Sequence, residues 1–115
     1  TVGSFILSLH PKLHRHRCPR RHRLAIFAAG VLGLMRDIAV EYARLNIRAN
    51  AVAPGNIASG WYHRLTEERK AELAKEAPLG RWGKPEEVAG TILFLASDLA
   101  GFITGQTILA IGNKL

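Results

Sequence analysis

Acidic residues are missing from the first 23 positions, and cysteine is nearly missing from the whole chain. Residues 1 to 23 carry Lys12, Arg15, Arg17, Arg20, Arg21 and Arg23 against no Asp or Glu, a local charge of +6. The rest of the chain holds all nine acids and the other ten bases, a net of +1. The overall charge of +7 therefore belongs to one short segment, and the remainder has the mixed surface of an ordinary soluble domain. A single cysteine, Cys18, excludes an internal disulfide framework and makes a reducing, cytoplasmic setting the expectation. Long apolar runs are also lacking. The longest, "LAIFAAGVLGLM" from Leu24 to Met35, falls short of the roughly 18 residues that a membrane-spanning helix needs. No basic stretch precedes "SFIL", so no secretory signal is visible. The chain opens on Thr1 instead of Met, and a missing upstream portion is expected.

What is present fits one modest domain with one core, since the chain has 115 residues and 48% of them are hydrophobic. "GSFILSL", Gly3 to Leu9, suits a short buried strand. "HPKLHRHRCPRRHR", His10 to Arg23, shows neither helical nor strand period, contains two prolines and reads as irregular. From Ala28 to Leu45 the residues Val31, Leu34, Met35, Ile38, Tyr42 and Leu45 recur at spacings of three and four, which predicts an amphipathic helix stopped at Asn46. "IRANAVA" continues in small and apolar residues without polar alternation, as a strand buried on both faces does. Residues 65 to 76 are charged on most sides and predict a solvent-facing, mobile helix. Pro85 opens a further helix to Ser97, with Glu86 and Glu87 in the first turn, where the helix dipole favours negative charge. Val88, Ile92, Leu95 and Ala96 are its expected buried stripe. "GQTILAIG", Gly105 to Gly112, is a last strand. This alternation of strands and helices favours parallel strands joined by helical crossovers.

"AAGVLGLMRDIAVEYARLNIRANAVAPGNIAS" followed by "PLGRWGKPEEVAGTILFLASDLAGFITGQTILAIG" resembles the C-terminal half of the short-chain dehydrogenase/reductase family. Its flavour is that of the 3-oxoacyl-carrier-protein reductases and the sugar or alcohol dehydrogenases. The resemblance runs from Ala29 to about Gly112. It implies an α/β fold, the C-terminal part of a Rossmann-type doubly wound parallel sheet in three α/β/α layers, here incomplete. It also implies an NAD(P)-dependent oxidoreductase that moves a hydride between a nicotinamide cofactor, NAD or NADP, and a small carbonyl or alcohol substrate. One partial domain over residues 1 to 115 is expected, with residues 8 to 28 aberrant and residues 29 to 112 family-like.

In open parallel sheets ligands sit beyond the carboxyl ends of the strands, and a strand that stops at Pro54-Gly55 lets the backbone turn sharply over that crevice. An isolated Pro-Gly is most often only a turn; its flanks give it more here. By the resemblance, Pro54, Gly55, Ile57 and Ser59 bind cofactor, with the Ile57 backbone toward the nicotinamide carboxamide and Ser59 where the family usually has Thr. Residues 61 to 77 correspond to the substrate loop, which in the family orders on binding. Leu93, Phe94 and Phe102 either fill the core or form an association surface for a homo-oligomer.

The family's acid/base Tyr and its Lys four residues later do not stand in this chain. A phenol near pKa 10 must be brought toward neutrality by a neighbouring cation before it exchanges protons efficiently. Aligned on Ala29-Gly30, Leu24 occupies the Tyr position and Ala28 the Lys position, so no catalytic set is intact. Ser8 falls near the expected catalytic Ser. Tyr42 and Tyr62 lie elsewhere in the motif order and read as a core and a loop aromatic. The phosphate-binding glycine loop, which in the family follows the first strand in an N-terminal half expected upstream, is missing as well; "AAGVLG" does not substitute for it, because its glycines lie in a helical pattern instead of following a strand. The chain by itself is expected to be inactive.

Between Ser8 and Ala28 the length suits the family and the content does not. Arg, His, Pro and Cys at such density are what a GC-rich coding stretch yields out of frame, so a local frameshift closed before Ala29 is the expectation, with a disordered insertion as the bland reading. The bases at residues 10 to 23 could also contact nucleic acid, but no interleaved aromatics or nucleic-acid fold accompany them. His10, His14, His16, Cys18 and His22 match no ordered zinc spacing, and no metal site is expected.

Overall fold

The computed structural model describes residues 4–8 and 20–112. Strand β1 (Ser4–Ser8) is followed by helix α1 (Arg20–Glu41), a 3-10 turn at Ala43–Leu45 and strand β2 (Arg48–Pro54). A second 3-10 turn at Gly60–Arg64 leads into helix α2 (Glu67–Lys75); helix α3 (Pro85–Ala96), a third 3-10 turn at Asp98–Ala100 and strand β3 (Thr107–Ala110) complete the order. The three strands form one parallel sheet in the order β1-β2-β3. Ser4 to Ser8 pair with Arg48 to Val52, and Thr107 to Ala110 pair with Ala51 to Pro54, so all three carboxyl ends lie at one edge. This is the parallel α/β arrangement that the alternation of elements predicts.

β2 is central, and all seven of its residues are buried. Ala49 and Ala51 pack with Met35 and Ala39 of α1, and Leu32 and Ile38 close around them. Val52 packs instead with Leu95 and Ala100, under Val88, Ile92, Ile103 and Ala110. Successive strand residues point to opposite faces, so α1 and α3 cover opposite sides of the sheet. Both crossovers nevertheless advance in the same direction across it. They are therefore of opposite hand, and one is the uncommon left-handed kind.

Polar anchors complete the α3 side. The buried Arg48 guanidinium donates to the carbonyls of Leu95 at 2.8 Å, Ser97 at 3.1 Å and Ile103 at 3.4 Å. A cation belongs at a helix C-terminus, where unpaired carbonyls gather, and no carboxylate is required. Asn50 donates to the Ile103 carbonyl at 3.0 Å and accepts from the Gln106 N–H at 3.1 Å. Together they fix the segment that delivers β3 to the sheet.

The structure corrects several expectations. The basic segment is not irregular throughout, because Arg20 to Arg23 form the first turn of α1. Its last proline, Pro19, precedes that turn in sequence, and nothing after it removes a ladder donor. The α1 stripe is rotated: Met35 and Ala39 are buried, whereas Leu34 is 60% and Leu45 is 68% exposed. Tyr42 is 40% exposed and is not a core aromatic. On α3, Leu95 is fully buried while Ala96 is exposed, and Ala100 beyond the helix supplies the missing contact. Leu93 and Phe102 do not fill this chain's core, being 71% and 106% exposed, and Phe94 is 42% exposed. Asn46 does stop the first helical region in the left-handed conformation, with φ of 58°.

Candidate functional site

The carboxyl ends of β2 and β3 converge tightly. The Gly55 N–H donates to the Ala110 carbonyl at 3.1 Å and prolongs the ladder past Pro54. A Cβ on Gly55 would lie 2.8 Å from both Cα and O of Ile111, so only glycine lets the two backbones approach this closely. Pro54-Gly55 is thus a close-approach site as well as a turn.

Beyond it, Ile57 bridges in parallel to Gly83. The Gly83 N–H donates to the Asn56 carbonyl at 2.9 Å, and the Ala58 N–H donates to the Gly83 carbonyl at 2.8 Å. In a parallel bridge of this pattern the middle residue turns its own N–H and C=O away from the partner strand. The Ile57 carbonyl accepts from the Ser59 N–H at 2.8 Å and keeps a second lone pair; its N–H has no partner among the described residues. A Cβ on Gly83 would fall 2.7 Å from Ile57 Cδ1, so a larger residue here would push the Ile57 side chain aside. Ser59 is exposed and extended, its side chain caps nothing, and its carbonyl accepts from the Tyr62 N–H at 3.1 Å.

A cavity of about 230 Å³ opens beside this turn, lined by Asn56 and Ile57, by Glu87, Val88 and Thr91 of α3, and by Ile111. Its rim is held by a bidentate pair: Arg81 Nη2 to Glu87 Oε1 at 2.6 Å and Nη1 to Oε2 at 2.8 Å. Glu87 also accepts from the Lys84 N–H at 2.7 Å, half of a capping box; Lys84 has no acceptor with which to return the other half. The Arg81 hydrogen bonds, followed by the Lys84 N–H, draw the Glu87 carboxyl down to about 2.

A second cluster gathers around α2, and no sequence pattern announced it. Trp82 meets Tyr62 edge-on at 4.9 Å and Trp61 at 5.6 Å between ring centroids. Its indole N–H donates to the Lys70 carbonyl at 2.9 Å, and Lys70 Nζ lies 4.6 Å from the Tyr62 ring centroid. The only available signal was that both tryptophans of the chain flank the charged helix.

Ser8 ends β1 opposite Val52, two residues before Pro54. Leu24 and Ala28 lie one turn apart near the start of α1. The topology thus brings the three expected catalytic positions and the Pro-Gly turn to one end of the sheet, although two of the three positions hold aliphatic residues. His10, His14, His16 and Cys18 lie outside the described residues. Among the described residues no three His, Cys, Asp or Glu side chains gather to hold a metal, and no helix is long and apolar enough to cross a membrane.

Residues 6–112 match the family model described as "Enoyl-(Acyl carrier protein) reductase". The chain belongs to the short-chain dehydrogenase/reductase family. It is 48% identical over 90 residues to the 3-oxoacyl-[acyl-carrier-protein] reductase FabG of Thermotoga maritima, covering 78% of this chain and 37% of that protein. It is 41% identical over 86 residues to the (2S)-[(R)-hydroxy(phenyl)methyl]succinyl-CoA dehydrogenase subunit BbsD of Thauera aromatica, with 75% of this chain and 35% of that one covered. A short-chain dehydrogenase family protein from Francisella tularensis superposes with a TM-score of 0.80 over 95% of this chain and 49% of its own; at 24% identity it speaks for the Rossmann-type fold. This short-chain dehydrogenase/reductase chain therefore spans little more than a third of the length of the curated relatives named here.

Proposed function

We propose that this chain is the nicotinamide-facing and substrate-loop portion of an NAD(P)-dependent oxidoreductase acting on a small carbonyl or alcohol, and that it does not turn over by itself. The Ile57 backbone carries the reading. Its N–H, without a partner among the described residues, and its outward carbonyl stand at the carboxyl end of the central strand, where a carboxamide finds both a donor and an acceptor. Ile57 would hold the carboxamide, and the exposed Ser59 hydroxyl would contact the same group. The nicotinamide, when bound, supplies or takes the hydride.

The residues fit that end of the cofactor and not the other. The pyrophosphate end lacks the glycine loop that follows the family's first strand, and no glycine between Ser8 and Gly30 substitutes for it. Leu24 cannot donate a proton to a carbonyl, and Ala28 cannot lower a phenol's pKa. Titration with reduced nicotinamide mononucleotide tests the reading. The amide signals of Gly55 to Ser59 should shift at millimolar ligand, on the order of what a cofactor fragment without its anchoring half can reach. An unmoved Ile57 amide, or shifts confined to another surface, would sink it.

One observation favours a second, non-catalytic reading. Leu93, Leu99 and Phe102 are 71%, 84% and 106% exposed around the end of α3, more bare apolar surface than a chain of this size needs. A homo-oligomer covering them would act as an association module. Sizing chromatography decides: a monomer at all concentrations rejects it.

A further inference from the structure

The cavity beside the Pro54-Gly55 turn lies away from the expected catalytic positions. Its walls come from the first two turns of α3 and from the end of β3, whereas Ser8 ends β1 on the far side of β2, and Leu24 and Ala28 belong to α1 on the opposite face. Val88, Leu109 and Ile111 make those walls apolar. The volume of about 230 Å³ exceeds the roughly 150 Å³ that admits a benzene ring, and it leaves room for about two more non-hydrogen atoms.

The polar groups around it select against charge. Arg81 and Glu87 at the rim already neutralise one another through two hydrogen bonds, so an ionic guest of either sign finds its counter-charge engaged and a like charge beside it. Asn56 is half-buried and lines the cavity; its backbone carbonyl accepts from the Gly83 N–H at 2.9 Å, but its side-chain amide has no partner among the described residues. The Thr91 hydroxyl, which also lines it, donates to the Glu87 carbonyl at 3.2 Å and keeps lone pairs to accept with. Two oxygens thus await a donor, which a carbonyl compound does not carry. A hydroxyl does, and its oxygen can accept from the Asn56 amide in return.

We propose that this cavity is a second binding site, for a neutral single-ring phenol. A phenol has no hydrogen on its hydroxyl-bearing carbon to give as hydride, so the guest is an effector and not a substrate. Asn56 and Gly83 both line the cavity and share the hydrogen bond that flanks the Ile57 bridge, so occupancy bears on the setting of Ile57. The site stands on the cavity alone, whether or not a nicotinamide binds.

Titration of the full chain with 4-methylphenol tests the proposal. The side-chain amide of Asn56 and the methyl groups of Val88 and Ile111 should shift together and saturate at millimolar probe, as about eight non-hydrogen atoms allow. The same concentration of 4-methylbenzoate should leave them unmoved. Asn56→Leu should weaken the phenol about two- to tenfold, the worth of one net hydrogen bond, without weakening toluene. Shifts that do not saturate, an equal response to the benzoate, or an equal loss of toluene in Asn56→Leu would overturn the site; the first two need only the unmodified chain. Reduced nicotinamide mononucleotide should not displace the phenol, and displacement would make the cavity part of the cofactor crevice. A chain that takes the phenol but not the nucleotide loses the nicotinamide reading and keeps this one.

Discussion

On the face of β2 toward α1 every strand side chain is alanine, and Ala49 and Ala51 meet Met35 and Ala39 with no polar side chain of the strand among them. On the opposite face Arg48 and Asn50 reach carbonyls and an N–H belonging to α3 and to the segment that leads into β3. Small apolar surfaces set a distance of approach and leave sliding cheap, whereas directional hydrogen bonds set a register. The candidate site depends on the second kind of order. Gly55 can lie so near Ile111 that a Cβ would fall 2.8 Å from its backbone only because β3 is delivered to one particular height along β2.

The largest way to break this contrast is to empty the α3 face. Leu95→Ala should cost about 2 to 5 kcal/mol, because Leu95 is fully buried and its neighbours are held by backbone bonds that resist collapse into the cavity. Ile92→Ala should cost less, since Ile92 is only half-buried. Urea midpoints measure both. Small, equal shifts with a broad transition would mean that this face is loosely packed in solution.

A smaller effect sharpens the comparison of pinned and unpinned faces. Arg48→Met keeps the stem and removes the guanidinium hydrogen bonds to the Leu95 and Ser97 carbonyls, each worth about 1.5 to 3 kcal/mol for a charged donor and less at Ser97, whose carbonyl still accepts from the Ala100 N–H. Arg48→Lys should recover little, since one ammonium cannot span acceptors that a planar fork reaches. Ala51→Val on the other face should cost about 1 to 3 kcal/mol by overpacking against α1. The two variants should differ in where they act. Amide shifts in Arg48→Met should spread to Gln106 and Ile111, and those in Ala51→Val should stay on α1. Identical shift maps would erase the distinction.

Much of this architecture was legible in the residues. β2 announced itself because a small, apolar strand bounded by Pro54-Gly55 has one plausible place, the middle of a parallel sheet. α3 was legible because Pro85, Glu86 and Glu87 satisfy the first turn chemically. The face of α1 was not, because its apolar residues lie on most sides and periodicity cannot choose among them; Ala39, buried against the sheet, carries the weakest hydrophobic signal of all. The carbonyl partners of Arg48 lie 47 and more residues away, and no local pattern points to them. Trp61 and Trp82 are likewise joined only by the fold. The Pro-Gly turn was legible, but the orientation of Ile57 N–H needed the Gly83 bridge.

A weaker test compares the buried pin with the one on the rim. Arg48 is enclosed, whereas Arg81 and Glu87 are each about half exposed, so only the rim pair should respond to ordinary changes of solvent. The Glu87 carboxyl is lowered from 4.5 to about 2 in the folded chain. A depressed carboxyl contributes stability that is fully present above pH 4.5 and is lost as pH falls toward 2. Carboxyl NMR should place its midpoint near 2, well below the ordinary carboxylate range, and added salt should move it upward. Glu87→Gln should remove that part of the acid dependence while leaving the Arg48 contacts intact. A midpoint in the normal carboxylate range would show that the Arg81 pair is not held in solution.

The smallest expected effect is none, and it concerns the ends of two strands. The exit of β2 keeps its family-like turn, while the positions reached from β1 and α1 carry Leu24 and Ala28. With either nicotinamide cofactor the chain should reduce carbonyl compounds no faster than background. General acid/base catalysis is worth about 10² to 10⁴ in rate, and lost cofactor positioning deepens the deficit. Leu24→Tyr with Ala28→Lys should not rescue the isolated chain, because a correctly placed phenol still meets a cofactor with no pyrophosphate anchor. The same pair should restore turnover once a complete N-terminal half of the fold is supplied and residues 8 to 28 are returned to family-like sequence. Should the unmodified chain show cofactor-dependent turnover, the proton must come from elsewhere. Tyr62, held between Trp82 and Lys70 Nζ, would then be the residue to replace by Phe. Loss of that turnover in Tyr62→Phe, with the urea midpoint unchanged, would move the active site from the end of β1 to the turn that carries Tyr62.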